Sequence, residues 1–236
     1  MKYYYLLSLF ILIAPMSWAE KYKCDSSVTA DSSDCLQNLI LFNSKQKIPV
    51  LLGSGNYIIS KLLIIPDNAK ISGSNANLIL KRDGGFLLKN VENITISGLN
   101  FEGDGQFLTT KISNPTKALK IPYIIGFSNP IVGLRLQGGV RNVTIADNQF
   151  SGMNFAIRVL SDQTGFVNNL IVNGNKIQNV GAAAIYIFNG INISVINNNI
   201  HNVLGNLVSG KEPVIADSKF ADGIYLHGVI NVRVMK

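Results

Sequence analysis

Along most of the chain, apolar and polar residues alternate in short bursts, and the bursts recur as one phrase. Asn93-Ile-Thr-Ile, Asn142-Val-Thr-Ile, Asn169-Leu-Ile-Val, Asn192-Ile-Ser-Val and Asn231-Val-Arg-Val all carry it. Two residues after the first apolar position stand Ile96, Ile145, Val172, Val195 and Val234. Five after it stand Leu99, Asn148, Asn175 and Asn198, and seven after it Phe101, Phe150, Ile177 and Ile200. The phrase returns after 27 and then 23 residues (170 minus 143, 193 minus 170). Period-two alternation that repeats at such a spacing predicts a coil of short strands. One coil cannot bury its own apolar face, so a core forms only when successive coils stack.

A second short strand precedes each phrase: Phe86–Lys89, Leu134–Gln137, Ile157–Leu160, Ile185–Phe188 and Ile224–His227. A turn leads into the strand that begins at Asn, and a very short third strand follows a further turn. Three strands in about 23 residues predict an all-β fold, a right-handed, single-stranded parallel β-helix with rungs roughly 4.8 Å apart. A leucine-rich repeat would need a Leu-x-x-Leu-x-Leu frame and helical halves, which are absent. The column Asn148, Asn175, Asn198 reads as structural, since Asn tolerates the left-handed backbone of a tight turn and bonds its neighbours along a stack. The Asn that opens each phrase reads as a turn residue too. Asn93, Asn142 and Asn192 formally fit glycosylation sequons, but their place at rung turns makes them structural.

At this point the chain resembles the pectate lyase-like superfamily of right-handed β-helix proteins, whose order of sheets the strand pair, Asn turn and third strand match. The likeness covers about residues 48–236. The opening run also fits: Gly55-Asn-Tyr-Ile-Ile, Leu63-Ile-Ile-Pro and Ala69-Lys-Ile-Ser-Gly, with Gly53-Ser-Gly where many members have Pro-Ala-Gly. The fold hosts lyases, hydrolases, epimerases and binding proteins, so it does not fix an activity.

Residues 1–19 read as a secretory signal. Lys2 gives the positive start, Leu6 to Ala14 the apolar stretch, and Ser17-Trp18-Ala19 a small-x-small cleavage site. The apolar stretch is too short to span a membrane. The expected location is therefore secreted or periplasmic. Residues 20–47 form an expected N-terminal cap: Leu36, Leu39 and Ile40 are at helical spacing between Asp34 and Phe42, with Ser33 or Asp34 as the capping residue. In an oxidising compartment the two cysteines, Cys24 and Cys35, are expected to form a disulfide, whereas a metal pair would need a His or further Cys nearby.

The apolar fraction is 47% against 15% charged residues, as a stacked coil demands. The net charge is +7, or +6 without Lys2, which leans toward an acidic partner such as an anionic polysaccharide. Lys and Arg are dispersed with no dense basic run, which argues against nucleic acid. Long insertions run from about Glu102 to Pro130 and from Val203 to Ala221, each between a third strand and the next first strand. In the resembled family, loops from that corner wall the binding cleft. The chain stops at Lys236, directly after a phrase and with no capping segment, so the C-terminal end is expected to be incomplete.

Alternation sends every second residue of the first strands outward. That gives the columns Leu87, Arg135, Arg158, Tyr186, Tyr225 and Lys89, Gln137, Leu160, Phe188, His227. In the resembled family this face is the substrate cleft. Arg135 and Arg158 suit carboxylates, which a guanidinium binds through two parallel hydrogen bonds. Tyr186 and Phe188 offer rings to sugar faces, and Gln137 adds hydrogen bonds. Hydrolysis would need two carboxyl groups about 5–9.5 Å apart. Ala221-Asp222-Gly223-Ile224 is similar to the Asn-Thr-Asp-Gly-Ile signature of polygalacturonase-like hydrolases, which implies a catalytic role for Asp222. The Asn-Thr half and the paired aspartates are missing. Elimination or C5 epimerisation of a uronate needs only a base and a cation that neutralises the carboxylate, and His227 and Tyr225 are the proton-moving candidates. No acidic cluster for Ca²⁺ and no Asp-Pro-His epimerase motif is present, so neither cofactor nor metal is expected. The reading is a polysaccharide lyase, epimerase or hydrolase, or else a non-catalytic carbohydrate-binding β-helix or a fragment of a longer enzyme.

Overall fold

The computed structural model describes Cys24 and residues 30–103, 130–162, 164–203 and 222–236. The expected signal segment and both insertions, with the Asp217 carboxyl near Asp222 in the sequence, fall outside the described residues, apart from the insertions' ends. One helix, α1 (Ser33–Lys45), precedes β1 (Val50–Leu52), β2 (Gly55–Ile59), β3 (Leu62–Ile64) and β4 (Lys70–Leu80). There follow β5 (Gly85–Lys89), β6 (Glu92–Gly103), β7 (Val132–Gln137), β8 (Arg141–Ala146) and β9 (Gln149–Leu160). The series ends with β10 (Val167–Asn173), β11 (Lys176–Ile196), β12 (Asn199–Val203) and β13 (Asp222–Met235). No described helix is long and apolar enough to cross a membrane.

All pairings between these strands are parallel, and they form three ladders. The first joins β3, β5, β7, the end of β9, the middle of β11 and the start of β13. The second joins β1, β4, β6, β8, β10 and the ends of β11 and β13. The third joins β2, the later parts of β4 and β6, the starts of β9 and β11, and β12. Val172 lies between Ile145 and Val195, so residues that align in the sequence touch in space. Strands such as β11 run on through the corners, which makes them longer than the three short pieces per repeat that the pattern predicts.

Inward residues of all three ladders meet in one core. Ile96, Ile145, Val172 and Val195 are buried, and Phe86, Phe101 and Phe150 fill the space behind them. Phe101 stacks on Phe150 at 4.9 Å, and Phe86 meets Phe101 edge-on at 5.3 Å. Offset and edge-on contacts of this kind add to the burial of large rings.

The corners correct one expectation. Asn148, Asn175 and Asn198 do not take the left-handed backbone; the residues before them do, Asp147, Gly174 and Asn197, with φ of 54–66°. This leaves each Asn free to turn its amide inward. Asn148 Nδ2 donates to Asn175 Oδ1 (3.1 Å) and Asn175 Nδ2 to Asn198 Oδ1 (2.9 Å), as a buried column. The Asn opening each phrase is left-handed, at φ 53–61° for Asn93, Asn142, Asn169, Asn192 and Asn231. These side chains also bond along the stack, Asn142 to Asn93 and Asn169 to Asn142 at 3.0 Å each. The sequon amides of Asn93, Asn142 and Asn192 are thus used as structural donors.

The helix closes the lower end. Leu36 and Ile40 are buried, and Cys24 is bonded to Cys35 with Cα atoms 5.6 Å apart. Neither Ser33 nor Asp34 is the cap residue: it is Ser32, whose side chain makes no capping bond. Asp31 serves instead, accepting from the Ser33 amide at 2.9 Å and from Ser33 Oγ at 2.6 Å. Gln37 covers the open strand edge, because its amide bonds both Ile64 N (2.7 Å) and Ile64 O (2.9 Å).

Candidate functional site

Outward residues of the first ladder stand in the columns that the alternation predicts. Arg135 pairs with Arg158, Arg158 with Tyr186, and Tyr186 with Tyr225. Beside them Gln137 pairs with Leu160, Leu160 with Phe188, and Phe188 with His227. The ladder therefore has a cationic lower half and an aromatic upper half.

Arg135 and Arg158 are one rung, roughly 4.8 Å, apart. Both are half-buried, and the Nε of each is enclosed with no hydrogen-bond partner. Arg135 donates from Nη2 to Pro130 O at 3.0 Å, and the Arg158 guanidinium lies 5.2 Å from the Phe155 ring centre. Among the described residues the one ion pair is Lys61–Asp34 at the lower end, so neither guanidinium is ion-paired. Burial holds both below their ordinary pKa; the Arg158 charge pushes Arg135 further down, while Asp83 opposes it. An Arg remains protonated regardless. Two close, partly desolvated cations with idle donors favour an anion between or above them.

The aromatic half is stacked. Tyr186 and Tyr225 are parallel at 4.8 Å, and Phe188 and His227 are parallel at 4.8 Å. Phe155 meets Tyr186 edge-on at 5.7 Å. Tyr186 is only 3% exposed, so its ring is the hub of a buried cluster rather than an open sugar platform. Burial raises its hydroxyl pKa, with Tyr225 adding and Arg158 opposing. His227 is exposed, and Tyr225 and Phe188 are half-buried.

This cluster is a second apolar group that the sequence did not disclose. Val132, Phe155, Ala182, Ala183 and Tyr186 are buried outside the main core, with Leu160, Phe188 and Tyr225 against them. Its column Val132–Phe155–Ala183 stands three residues before the Arg–Tyr column and two before the inward Leu134–Ile157–Ile185, so alternation assigns it to the main core.

Asp222 opens β13 and pairs with Ala183 in that same column. Among the described residues the next carboxylate at that end of the ladder's strands, Asp83, precedes β5, four rungs below β13. At about 4.8 Å per rung that is about 19 Å, well beyond the separation a hydrolase pair uses. Among the described residues there is no group of three or more His, Cys, Asp or Glu able to hold a metal ion.

A cavity of about 190 Å³ lies elsewhere, on the outer side of the third ladder, lined by Asn100, Glu102, Gln149, Ser151, Lys176 and Gln178 among others. The third strand reads as very short in the sequence, and its outward residues attract no attention there.

No family model and no curated protein matches the chain. Among solved structures the chain is similar to a candidate glycosyl hydrolase from Parabacteroides merdae, at 12% identity and a TM-score of 0.54, over 91% of each chain. It is also similar to a 1,3-α-1,4-β-D-galactose-4-sulfate-3,6-anhydro-D-galactose-2-sulfate 4-galactohydrolase, at 16% identity and a TM-score of 0.50. That match covers 92% of this chain and 50% of the other, so the chain spans half of that enzyme's length. At these identities the likeness concerns the fold, a parallel all-β architecture that carries glycan-active proteins.

Proposed function

We propose that this is an exported polysaccharide-active protein, a right-handed parallel β-helix of the pectate lyase-like kind, which binds an acidic glycan along the first ladder from Arg135 to His227. The observation that carries the reading is the pair of half-buried guanidiniums, Arg135 and Arg158, with no ion-pair partner among the described residues, leading up to the Tyr225–His227 stack. Uronate carboxylates repeat along such a chain and would be held by these guanidiniums, with Gln137 and the edge of Phe188 against the sugar ring.

The chemistry this face supports best is proton abstraction next to the carboxylate. An Arg neutralises the carboxylate, so the negative charge that develops at C5 is tolerable. His227, exposed and held parallel to Phe188, takes the C5 proton. The C–H electron pair forms the C4–C5 double bond, the C4–O bond breaks, and the departing oxygen takes a proton from the Tyr225 hydroxyl. Return of a proton to the opposite face of C5 would instead give the epimer. Hydrolysis through Asp222 fits less well, because its nearest partner along the ladder among the described residues is about 19 Å off.

No such carboxyl pair lies among the described residues, which also favours a second reading, a protein that binds the glycan without cutting it. One experiment separates the two. The protein is incubated with polyuronates and sulfated galactans while unsaturated ends, reducing ends and epimer signals are followed, and binding is measured in parallel. The expected result is salt-sensitive binding that weakens about 10–100-fold in Arg158→Ala, from the loss of charged hydrogen bonds. Turnover is expected to vanish in His227→Ala. Binding with no product in any channel selects the second reading, and no binding of any polyanion rejects both.

A further inference from the structure

We propose that the outer face of the third ladder is a separate binding site for a neutral sugar, centred on Gln149 and Gln178. Its outward residues form two columns. In one, Asn56, Asn77, Asn100, Gln149, Lys176 and Asn199 follow one another in register. In the other, Glu102, Ser151, Gln178 and His201 do the same.

The lower part of the first column is closed on itself. Asn77 Nδ2 donates to Asn56 Oδ1 and Asn100 Nδ2 to Asn77 Oδ1, each at 2.9 Å. The zipper then stops. Among the described residues the side chains of Glu102, Gln149, Ser151, Lys176 and Gln178 make no hydrogen bond or ion pair, and these are the groups around the cavity. Elsewhere in the coil, Asn columns are bonded along the stack, from Asn142 and Asn175 to Asn202. The third ladder thus holds a cluster of solvent-facing polar groups with no protein partner, open to water or to a ligand.

The chemistry of that cluster selects the ligand class. Each Gln amide offers two donors and one acceptor oxygen, Ser151 does both, Glu102 accepts and Lys176 donates. One carboxylate and one ammonium cancel, so nothing here concentrates an anion as Arg135 and Arg158 do. Groups that must match mixed donors and acceptors without net charge are hydroxyls, each of which donates and accepts. A volume of about 190 Å³ is below the roughly 300–1,000 Å³ of drug-sized pockets and is on the scale of one sugar ring. Neighbouring rungs, with Asn100 below and Asn199 above, would continue the contacts to adjoining sugars.

The test uses the full chain labelled with ¹⁵N and follows the side-chain amide signals of Gln149 and Gln178 as cellotetraose, a β-1,4-linked galactotetraose or a galacturonate tetramer is added. The expected result is saturable shifts of both amides with at least one neutral tetramer, unaffected by added salt and retained in Arg158→Ala. Gln149→Ala and Gln178→Ala should each weaken that binding roughly tenfold, as loss of one neutral hydrogen-bonding group does. Ser151→Phe, which plugs the cavity without removing either amide, should abolish it with the thermal melt unchanged. The wild-type shifts need no variant to fold. Shifts seen only with galacturonate, shifts lost in Arg158→Ala, or no saturable shift with either neutral tetramer would each overturn the proposal.

Discussion

The buried Asn column allows a sharp test of how the stacked parallel strands are held together. Asn175 is fully buried, and its side chain engages five groups. Its Oδ1 accepts from Asn148 N at 3.0 Å and Asn148 Nδ2 at 3.1 Å. Its Nδ2 donates to Ile145 O, Asn173 O and Asn198 Oδ1 at 2.9–3.1 Å. Asn175→Ala strands at least two buried groups, the Asn148 amide and an acceptor opposite the lost Nδ2, at about 1–3 kcal/mol each, so the expected cost is about 4 kcal/mol. Asn175→Asp should be at least as harmful, because an ionised carboxylate only accepts and would face Ile145 O and Asn198 Oδ1. The control is Asn142→Gly. Asn142 also bonds two neighbours at 3.0 Å, but it is exposed, and Gly adopts its φ of 53° freely. Water can replace those bonds, so the expected cost is below about 1 kcal/mol. Urea unfolding measures both as midpoint shifts at unchanged m-value. If Asn175→Ala costs under about 1 kcal/mol, or no more than Asn142→Gly, the inward ladder is not what fastens the rungs and the reasoning fails.

Three further outcomes follow from the same geometry. Phe150→Ala, which removes a buried ring stacked at 4.9 Å on Phe101, is expected to cost about 3–5 kcal/mol in the same urea assay. Gly98→Ala should lower the melting temperature, since its φ is +65° and a Cβ there would sit 2.7 Å from Gly73 O; an unchanged melt would contradict this. Asp31 is held at a pKa of about 2, below its ordinary 3.8, by hydrogen bonds from Ser33 and Ser60. A depressed carboxyl stabilises the fold above its ordinary value and loses that contribution as pH falls from about 4 through about 2. Because Asp31 is exposed, solvent screening reduces the effect to under about 1 kcal/mol. Asp31→Asn should accordingly be less stable than the parent at neutral pH and indistinguishable from it near pH 2, read from paired denaturation curves.

The difference between what could be read from the letters and what could not has one physical source. Inward positions obey a strict rule, since a polar residue there is costly, and so Ile145, Val172 and Val195 align in the text and touch in space. That alignment fixes the register, and the register alone places Arg135 beside Arg158 and Phe188 beside His227. Outward positions obey no such rule. Val132, Phe155 and Ala183 stand two residues before the core residues Leu134, Ile157 and Ile185, where alternation predicts an inward side chain, so nothing in the sequence announces that they form a buried patch of their own. The left-handed corner residue was displaced by one for a related reason. Asn is common both where φ is positive and where an inward amide must bond its neighbours, and the letter is the same for Asn197 and Asn198. Composition told the two apart only where Asp147 and Gly174 replace Asn at the first of these positions. The open amides around Gln149 and Gln178 lie on the same unconstrained side of the coil.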